Sequence, residues 1–270
     1  MRRPGLGIGV ASVVALLIGT VTYAQFGGGQ DRPLRGGGGF GAEPIVPNTP
    51  YDGRFTFVRM RYGPPVAYAS QRVMWSHDYP TGEKHFMQIL NELTYLAPHI
   101  EETNILSFGD PDLFKYPIAY ICEPGPFFNL TDEEAANFRS YLLKGGFAIV
   151  DDFRAAHWEY FEEQMRRILP DVRFFDLDAT HPIFHSFFDI NDLSNIPNYY
   201  DQQFGVNGGR PLFRGIYENN DPAKGLLAII NYNTDISEFW EFSATGLKPL
   251  EESNEAYKLG VNYVIYGMTD

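Results

Sequence analysis

Between residues 118 and 177 the sequence alternates short apolar runs with stretches of helical periodicity, and that alternation constrains the fold more than any other feature. Residues 118–122 (IAYIC) have no polar face, as in a strand covered on both sides. Thr131-Asp132-Glu133-Glu134 has capping-box spacing: the Thr131 hydroxyl accepts from the amide of residue 134 while Glu134 reaches back. The helix it opens turns Ala135, Phe138 and Leu142 inward and ends at Gly145-Gly146. Residues 147–150 (FAIV) read as another buried strand, closed by Asp151-Asp152. Trp158, Phe161, Met165 and Leu169 mark a helix before Pro170, and residues 172–177 (VRFFDL) a strand after it. This order predicts an α/β fold, a three-layer, doubly wound, mostly parallel sheet with helices on both faces.

The flanking segments fit the same scheme. Residues 55–61 (FTFVRMR) read as a first strand, and residues 83–97 place Phe86, Ile89, Leu90, Leu93 and Ala97 on one helical face. Residues 178–209 have little periodicity and are expected to form loops over the sheet. Residues 213–218 and 226–231 restore strands, with a hairpin through residues 219–225, and Ala256, Leu259, Tyr263 and Tyr266 line one face of a closing helix. With no internal repeat, residues 51–270 are expected to form a single domain.

Residues 1–24 read as an export signal, with Arg2 and Arg3 as its basic start, an apolar stretch over residues 10–21 and Thr22-Tyr23-Ala24 as the cleavage site. The expected location is periplasmic or extracellular; the alternative is an uncleaved N-terminal membrane anchor, and cleavage would leave no stable membrane span. Residues 25–50, rich in Gly and Pro, read as a flexible linker. Residues 36–41 match G-x-G-x-x-G formally, but no strand precedes them and no helix follows, so the pyrophosphate mechanism behind that pattern is absent.

Composition narrows the function. With 34 acidic against 21 basic side chains and a formal charge of −13, the chain offers no basic surface for nucleic acid. Its one cysteine, Cys122, excludes an internal disulfide framework and a zinc site built from Cys alone. The patterns G-x-S-x-G, H-E-x-x-H and G-x-x-x-x-G-K-[ST] do not occur. The sequence therefore assigns no cofactor and no metal ligands, and the expected partner is a small molecule, a glycan or an envelope protein.

Ligands of open α/β sheets bind outside the carboxyl ends of the strands, so the polar residues expected there are the candidates. Cys122 ends one strand, but Glu123-Pro124-Gly125-Pro126 follows it where a nucleophile elbow needs an immediate helix, and Glu123 would raise its thiol pKa. Cys122 therefore reads as a buried structural thiol. Asp151 and Asp152 close the next strand; one carboxylate is expected to face the cleft as a base or ligand, or both serve as caps. His157 lies near the following helix start and can join either arrangement. Asp176 and Asp178 end the third strand. His181 and His185 share a face if helical, for metal or for capping, with Pro182 in the first turn. Trp75-Ser76-His77-Asp78-Tyr79-Pro80 combines an aromatic platform with imidazole and carboxylate, suited to a sugar or to anchoring a loop. Trp75, Asp78, Tyr79, Asp151, Asp152 and His181 are thus the candidate ligand-binding residues, and Asp151, Asp152, His157 and His181 the candidate catalytic ones.

Phe57-Val58-Arg59-Met60-Arg61-Tyr62, Trp75 to Pro80, Leu142-Leu143-Lys144-Gly145-Gly146-Phe147 with Asp151-Asp152-Phe153, and His181-Pro182-Ile183-Phe184 together resemble the bacterial domain of unknown function 4159 family, over residues 51–267. That family is similar in turn to the class I glutamine amidotransferase-like group, including its trehalose-utilisation branch, and the resemblance implies a flavodoxin-like sheet. It transfers no activity, because the amidotransferase G-x-C-x-G nucleophile has no counterpart here. Two readings follow: an exported, non-catalytic binding module with its ligand near Asp78, Asp151, Asp152 and His181, or a hydrolase on a carbohydrate or envelope substrate with Asp151 or Asp152 as base and His157 or His181 as partner.

Overall fold

Seven strands form the main sheet, in the order residues 104–107, 58–61, 118–122, 147–153, 226–232, 212–217 and 175–176. The structure, a computed structural model, describes residues 43–70, 72–194, 196 and 210–269; the expected export signal and most of the expected linker lie outside the described residues. The strands are β1 (Glu43–Pro44), β2 (Val58–Arg61), β3 (Tyr68–Ala69), β4 (Asn104–Ser107), β5 (Ile118–Cys122), β6 (Phe147–Phe153), β7 (Phe175–Asp176), β8 (Leu212–Tyr217) and β9 (Leu226–Tyr232). The helices are α1 (Thr81–Leu93), α2 (Asp132–Leu143), α3 (His157–Ile168), α4 (Ile236–Glu241) and α5 (Leu250–Thr269). Strands β4, β2, β5, β6 and β9 run parallel, while β8 and β7 complete the sheet antiparallel to their neighbours. The short ribbon β1-β3 stands apart.

The wholly apolar β5, every residue of which is buried, is covered on both faces, as its composition requires. On one face Ala119, Ile121 and Val150 pack with Phe138 and Leu142 of α2 and Phe161 and Met165 of α3. On the other, Tyr120, Cys122 and Ile149 pack with Phe86 and Leu90 of α1, Trp240 of α4 and Leu259 and Tyr263 of α5. The capping box closes as its spacing dictates: the Thr131 hydroxyl accepts from the Glu134 amide at 3.2 Å, and Glu134 accepts from the Thr131 amide at 2.9 Å. Gly145 stops α2 with a φ of 96°, the left-handed turn that glycine takes without a Cβ penalty.

Three segments differ from the sequence-based expectation. Residues 43–50, expected in the linker, are held on the domain: β1 pairs with β3, the Asn48 side chain brackets the backbone of Ile105, and the Thr49 amide donates to Asn104 Oδ1 at 2.8 Å. Residues 172–177 yield only the two-residue β7, antiparallel to β8, because β9 occupies the edge of β6 and the β8-β9 hairpin lies between. The helix over residues 83–97 starts earlier and ends at Leu93, where Thr94 turns extended and takes the Leu90 carbonyl with both its amide and its hydroxyl. Of the described residues, no helix is long and apolar enough to cross a membrane.

Candidate functional site

The parallel strands share one carboxyl edge, and acidic side chains from four segments converge on it. Within β6 the ladder to β9 shifts register between Val150 and Phe153, and Asp152 adopts a φ of 57°. This bulge breaks the strict in-out alternation of a strand and gives the two adjacent aspartates different surroundings.

Asp151 is fully buried and fully used. Its Oδ2 accepts from the Tyr120 hydroxyl at 3.0 Å and from the amides of Ile236 and Ser237 at 2.9 and 3.3 Å, and its Oδ1 accepts from Asn231 Nδ2 at 3.1 Å. Asn231 is fixed in turn by the Tyr263 hydroxyl at 2.9 Å. Asp151 thus ties the first turn of α4 to the sheet, where a carboxylate meets unpaired amides and the positive end of the helix dipole. Burial raises its pKa to about 7 in spite of these four donors.

Asp152, 2% exposed, is used far less. Its Oδ2 takes the Cys122 thiol at 3.8 Å; its Oδ1 is buried and accepts no hydrogen bond, with Arg154 Nη1 4.0 Å away. Burial pushes this carboxyl well above its usual range, and Asp235, Glu123, Asp78 and Asp151 push it further. Glu123, the first residue after β5, has a φ of 45°; its amide donates to the Asp151 carbonyl at 3.0 Å, and its own carbonyl accepts from the Tyr62 hydroxyl at 2.6 Å. Its carboxylate meets His77 Nδ1 at 2.6 Å. Asp78, with a φ of 64°, accepts from the Ser237 hydroxyl at 2.5 Å. Asp235 caps α4 by accepting from the Glu238 amide at 3.0 Å; burial, then Asp78, drives its pKa well upward. Burial and the same Asp78 raise Glu241 to about 8.

Asp78, Glu123, Asp151, Asp152 and Asp235 are all buried, while the buried Arg59 is already paired with the buried Glu83 and donates to the Trp75 carbonyl at 2.9 Å. Asp78, Glu123 and Asp152 also occupy the left-handed backbone region, at a cost of order 1–3 kcal/mol each that folding must absorb elsewhere. Buried like charge and backbone strain in one place mark a site held for something other than stability.

This arrangement has a pH signature. Asp151 at about 7 and Glu241 at about 8 hold protons in the folded protein that the unfolded chain, with ordinary values of 3.8 and 4.5, has released. Between those values the folded state binds more protons, so its stability falls as the pH rises. In EDTA the unfolding midpoint is expected to drop steadily from about pH 5 to about pH 8; a midpoint that climbs over this range would contradict the protonated state of the cluster.

The structure distributes the remaining candidates as follows. Cys122 is fully buried, and burial lifts its thiol well above the usual value, so it is no thiolate nucleophile. His157 begins α3 and packs its ring over Gly125, where a Cβ would lie 3.1 Å from Nδ1; that nitrogen is buried without a hydrogen bond, and burial lowers the imidazole pKa. Trp75 and Tyr79, 2% and 6% exposed, belong to the core beneath the site and present no open platform to a sugar. His181 caps the turn Pro182–His185 by accepting from the Ile183 amide, and its Nε2 lies 2.9 Å from the Tyr217 hydroxyl. Tyr217 pairs with Leu226 at the start of β9, so His181 occupies the opposite edge from Asp151 and Asp152. Asp176 pairs with Arg214, and the exposed Asp178 bonds Thr180. Asp235, Glu238 and Glu241 were not legible as site residues, although Asp235-Ile236-Ser237-Glu238 carries the spacing of a helix cap.

A mostly parallel sheet with helices on both faces and its acidic cluster outside the carboxyl ends of the strands defines an α/β protein. Residues 56–268 match the family described as Domain of unknown function (DUF4159), and the chain belongs to that family. No curated protein matches it.

Proposed function

We propose that this chain is an exported, non-catalytic binding module of the cell envelope: a single flavodoxin-like, class I glutamine amidotransferase-like domain whose ligand sits at the carboxyl edge of the sheet. The observation that carries the reading is the trio Asp78, Glu123 and Asp152, three buried acids held in left-handed backbone side by side. The strand order supports the fold assignment. Taken in chain order, the five parallel strands run second, first, third, fourth, fifth across the sheet, the flavodoxin order, with the switch point between β2 and β5. Glu123 follows β5 at that switch point, where doubly wound folds take their ligands. The basic and apolar start of residues 1–24 supports export from a bacterial cytoplasm, and the expected ligand is a small molecule, a glycan or an envelope protein that supplies the missing positive charge or hydrogen-bond donors.

A hydrolase is the second reading, favoured by the buried Nδ1 of His157 beside the Glu123–Gly125 loop. Incubation with isolated cell-wall sacculi separates the two. A binding module is expected to sediment with them, weakened by Asp152→Asn, and to release nothing soluble. Release of soluble fragments that stops in a still-folded Asp152→Asn protein would overturn the reading in favour of the hydrolase.

A further inference from the structure

We propose that His77, Glu123 and Asp152 hold a divalent transition cation, Zn²⁺ in preference to Mn²⁺, at the carboxyl edge of the sheet. The inference rests on the reading of that edge as the binding site and names one component that fills it.

One donor atom from each of the three residues lies within 4.8 Å of the others. Around a tetrahedral ion with bonds of about 2.0–2.1 Å, neighbouring donors stand about 3.3 Å apart, so closing the set takes small side-chain movements. His77 Nδ1 and Glu123 Oε2 already face each other at 2.6 Å, an approach that an ion between them would relax. The case goes beyond a cluster of acids in two respects. First, Asp152 Oδ1 is buried, belongs to a residue only 2% exposed, and accepts no hydrogen bond; Arg154 Nη1, 4.0 Å away, stands beyond hydrogen-bond reach, so the desolvated oxygen keeps an unused acceptor site. Secondly, the set includes an imidazole, the donor that separates transition ions from Ca²⁺ and Mg²⁺, which prefer oxygen alone.

The choice of Zn²⁺ follows from the next donors outward. Cys122, the one cysteine of the chain, places its sulfur 3.8 Å from Asp152 Oδ2, and Asp78, Cys122 and Asp152 form a second set with donor atoms within 4.8 Å. The imidazole of the first set, with a soft sulfur 3.8 Å from the shared Asp152 carboxyl, suits Zn²⁺ better than Mn²⁺. The bulge that turns Asp152 to a φ of 57°, and the left-handed Glu123 opposite it, are then the backbone devices that bring two carboxylates to one ion.

The test is isothermal titration of the full chain, stripped with EDTA and dialysed, with Zn²⁺, Mn²⁺, Ca²⁺ and Mg²⁺. One Zn²⁺ per chain is expected at micromolar Kd or tighter, with Ca²⁺ and Mg²⁺ at least about 100-fold weaker. Asp152→Asn and His77→Ala are each expected to weaken Zn²⁺ at least about 10-fold, while His185→Gln, which alters a histidine bonded to Asp189 and the Ala179 carbonyl, leaves it unchanged. Circular dichroism in EDTA shows that each variant is folded before it is titrated. No binding, equal binding of Ca²⁺, or Zn²⁺ affinity indifferent to both Asp152→Asn and His77→Ala would overturn the inference. The sacculus experiment fails separately: Zn²⁺ binding without Asp152-dependent retention removes the proposed function and keeps the metal, and retention without Zn²⁺ binding does the reverse.

Discussion

Asp151→Ala is expected to destabilise the protein by about 3 kcal/mol at pH 5, lowering the unfolding midpoint by roughly 2–4 °C per kcal/mol for a domain of this size. The substitution leaves the Tyr120 hydroxyl, the Asn231 amide and the backbone amides of Ile236 and Ser237 without their acceptor, all of them buried. A stranded buried donor costs more than the net value of the bond it made, and α4 loses its tie to the sheet as well. Against this stands the desolvation of the carboxylate, which lifts Asp151 to about 7. Below that value the folded protein carries the proton and little buried charge, so the alanine cost is largest near pH 5 and shrinks towards pH 8, where the wild type pays for an ionised group. Midpoints of both proteins in EDTA at these two pH values check the sign and the trend. A cost that grows with pH would mean that Asp151 is stabilised as the anion.

Much of this fold can be read in the sequence, because the elements that dominate it carry local signals. The capping box at Thr131, the glycine stop at Gly145 and the apolar runs of β5 and β6 each state their structure within a few residues. Strand β4 (NILS) has no such signal: it is four residues long, and its Asn104 serves the Thr49 backbone and the Tyr116 hydroxyl, contacts made across the chain. The site divides in the same way. A strand ending in two aspartates announces a polar group at a sheet edge, but only the bulge decides that Asp151 anchors α4 while Asp152 Oδ1 is left without a hydrogen bond. The approach of His77 to Glu123 is set by where the loop before α1 meets the end of β5, which no local pattern records. His181, read from the sequence as a cap or packing residue before Pro182 rather than a metal ligand with His185, serves as that cap.

Asp152 differs from its neighbour in the sign of the expected effect. Asn at this position keeps the shape, tolerates the left-handed backbone as readily as Asp, and removes a carboxyl surrounded by Asp235, Glu123, Asp78 and Asp151. What it loses is one weak contact from the Cys122 thiol and a long ion pair with Arg154, whose Nη1 stands 4.0 Å from Oδ1, against the removal of repulsion from four neighbouring carboxyls. Strained functional sites give up stability, and single stabilising substitutions commonly return about 0.5–2 kcal/mol, the range expected here. The gain is expected at pH 7 to 8, where the wild type must hold this carboxyl protonated or bear its charge, and fades towards pH 5.

The central claim, that Asp152, with its left-handed neighbours Asp78 and Glu123, serves a ligand and not the fold, is tested most directly by the unfolding midpoint of Asp152→Asn against wild type, in EDTA at about pH 7.5. A variant midpoint at or above that of the wild type is the expected result. A midpoint lower by several degrees, as for Asp151→Ala, would make Asp152 a structural residue and contradict the account.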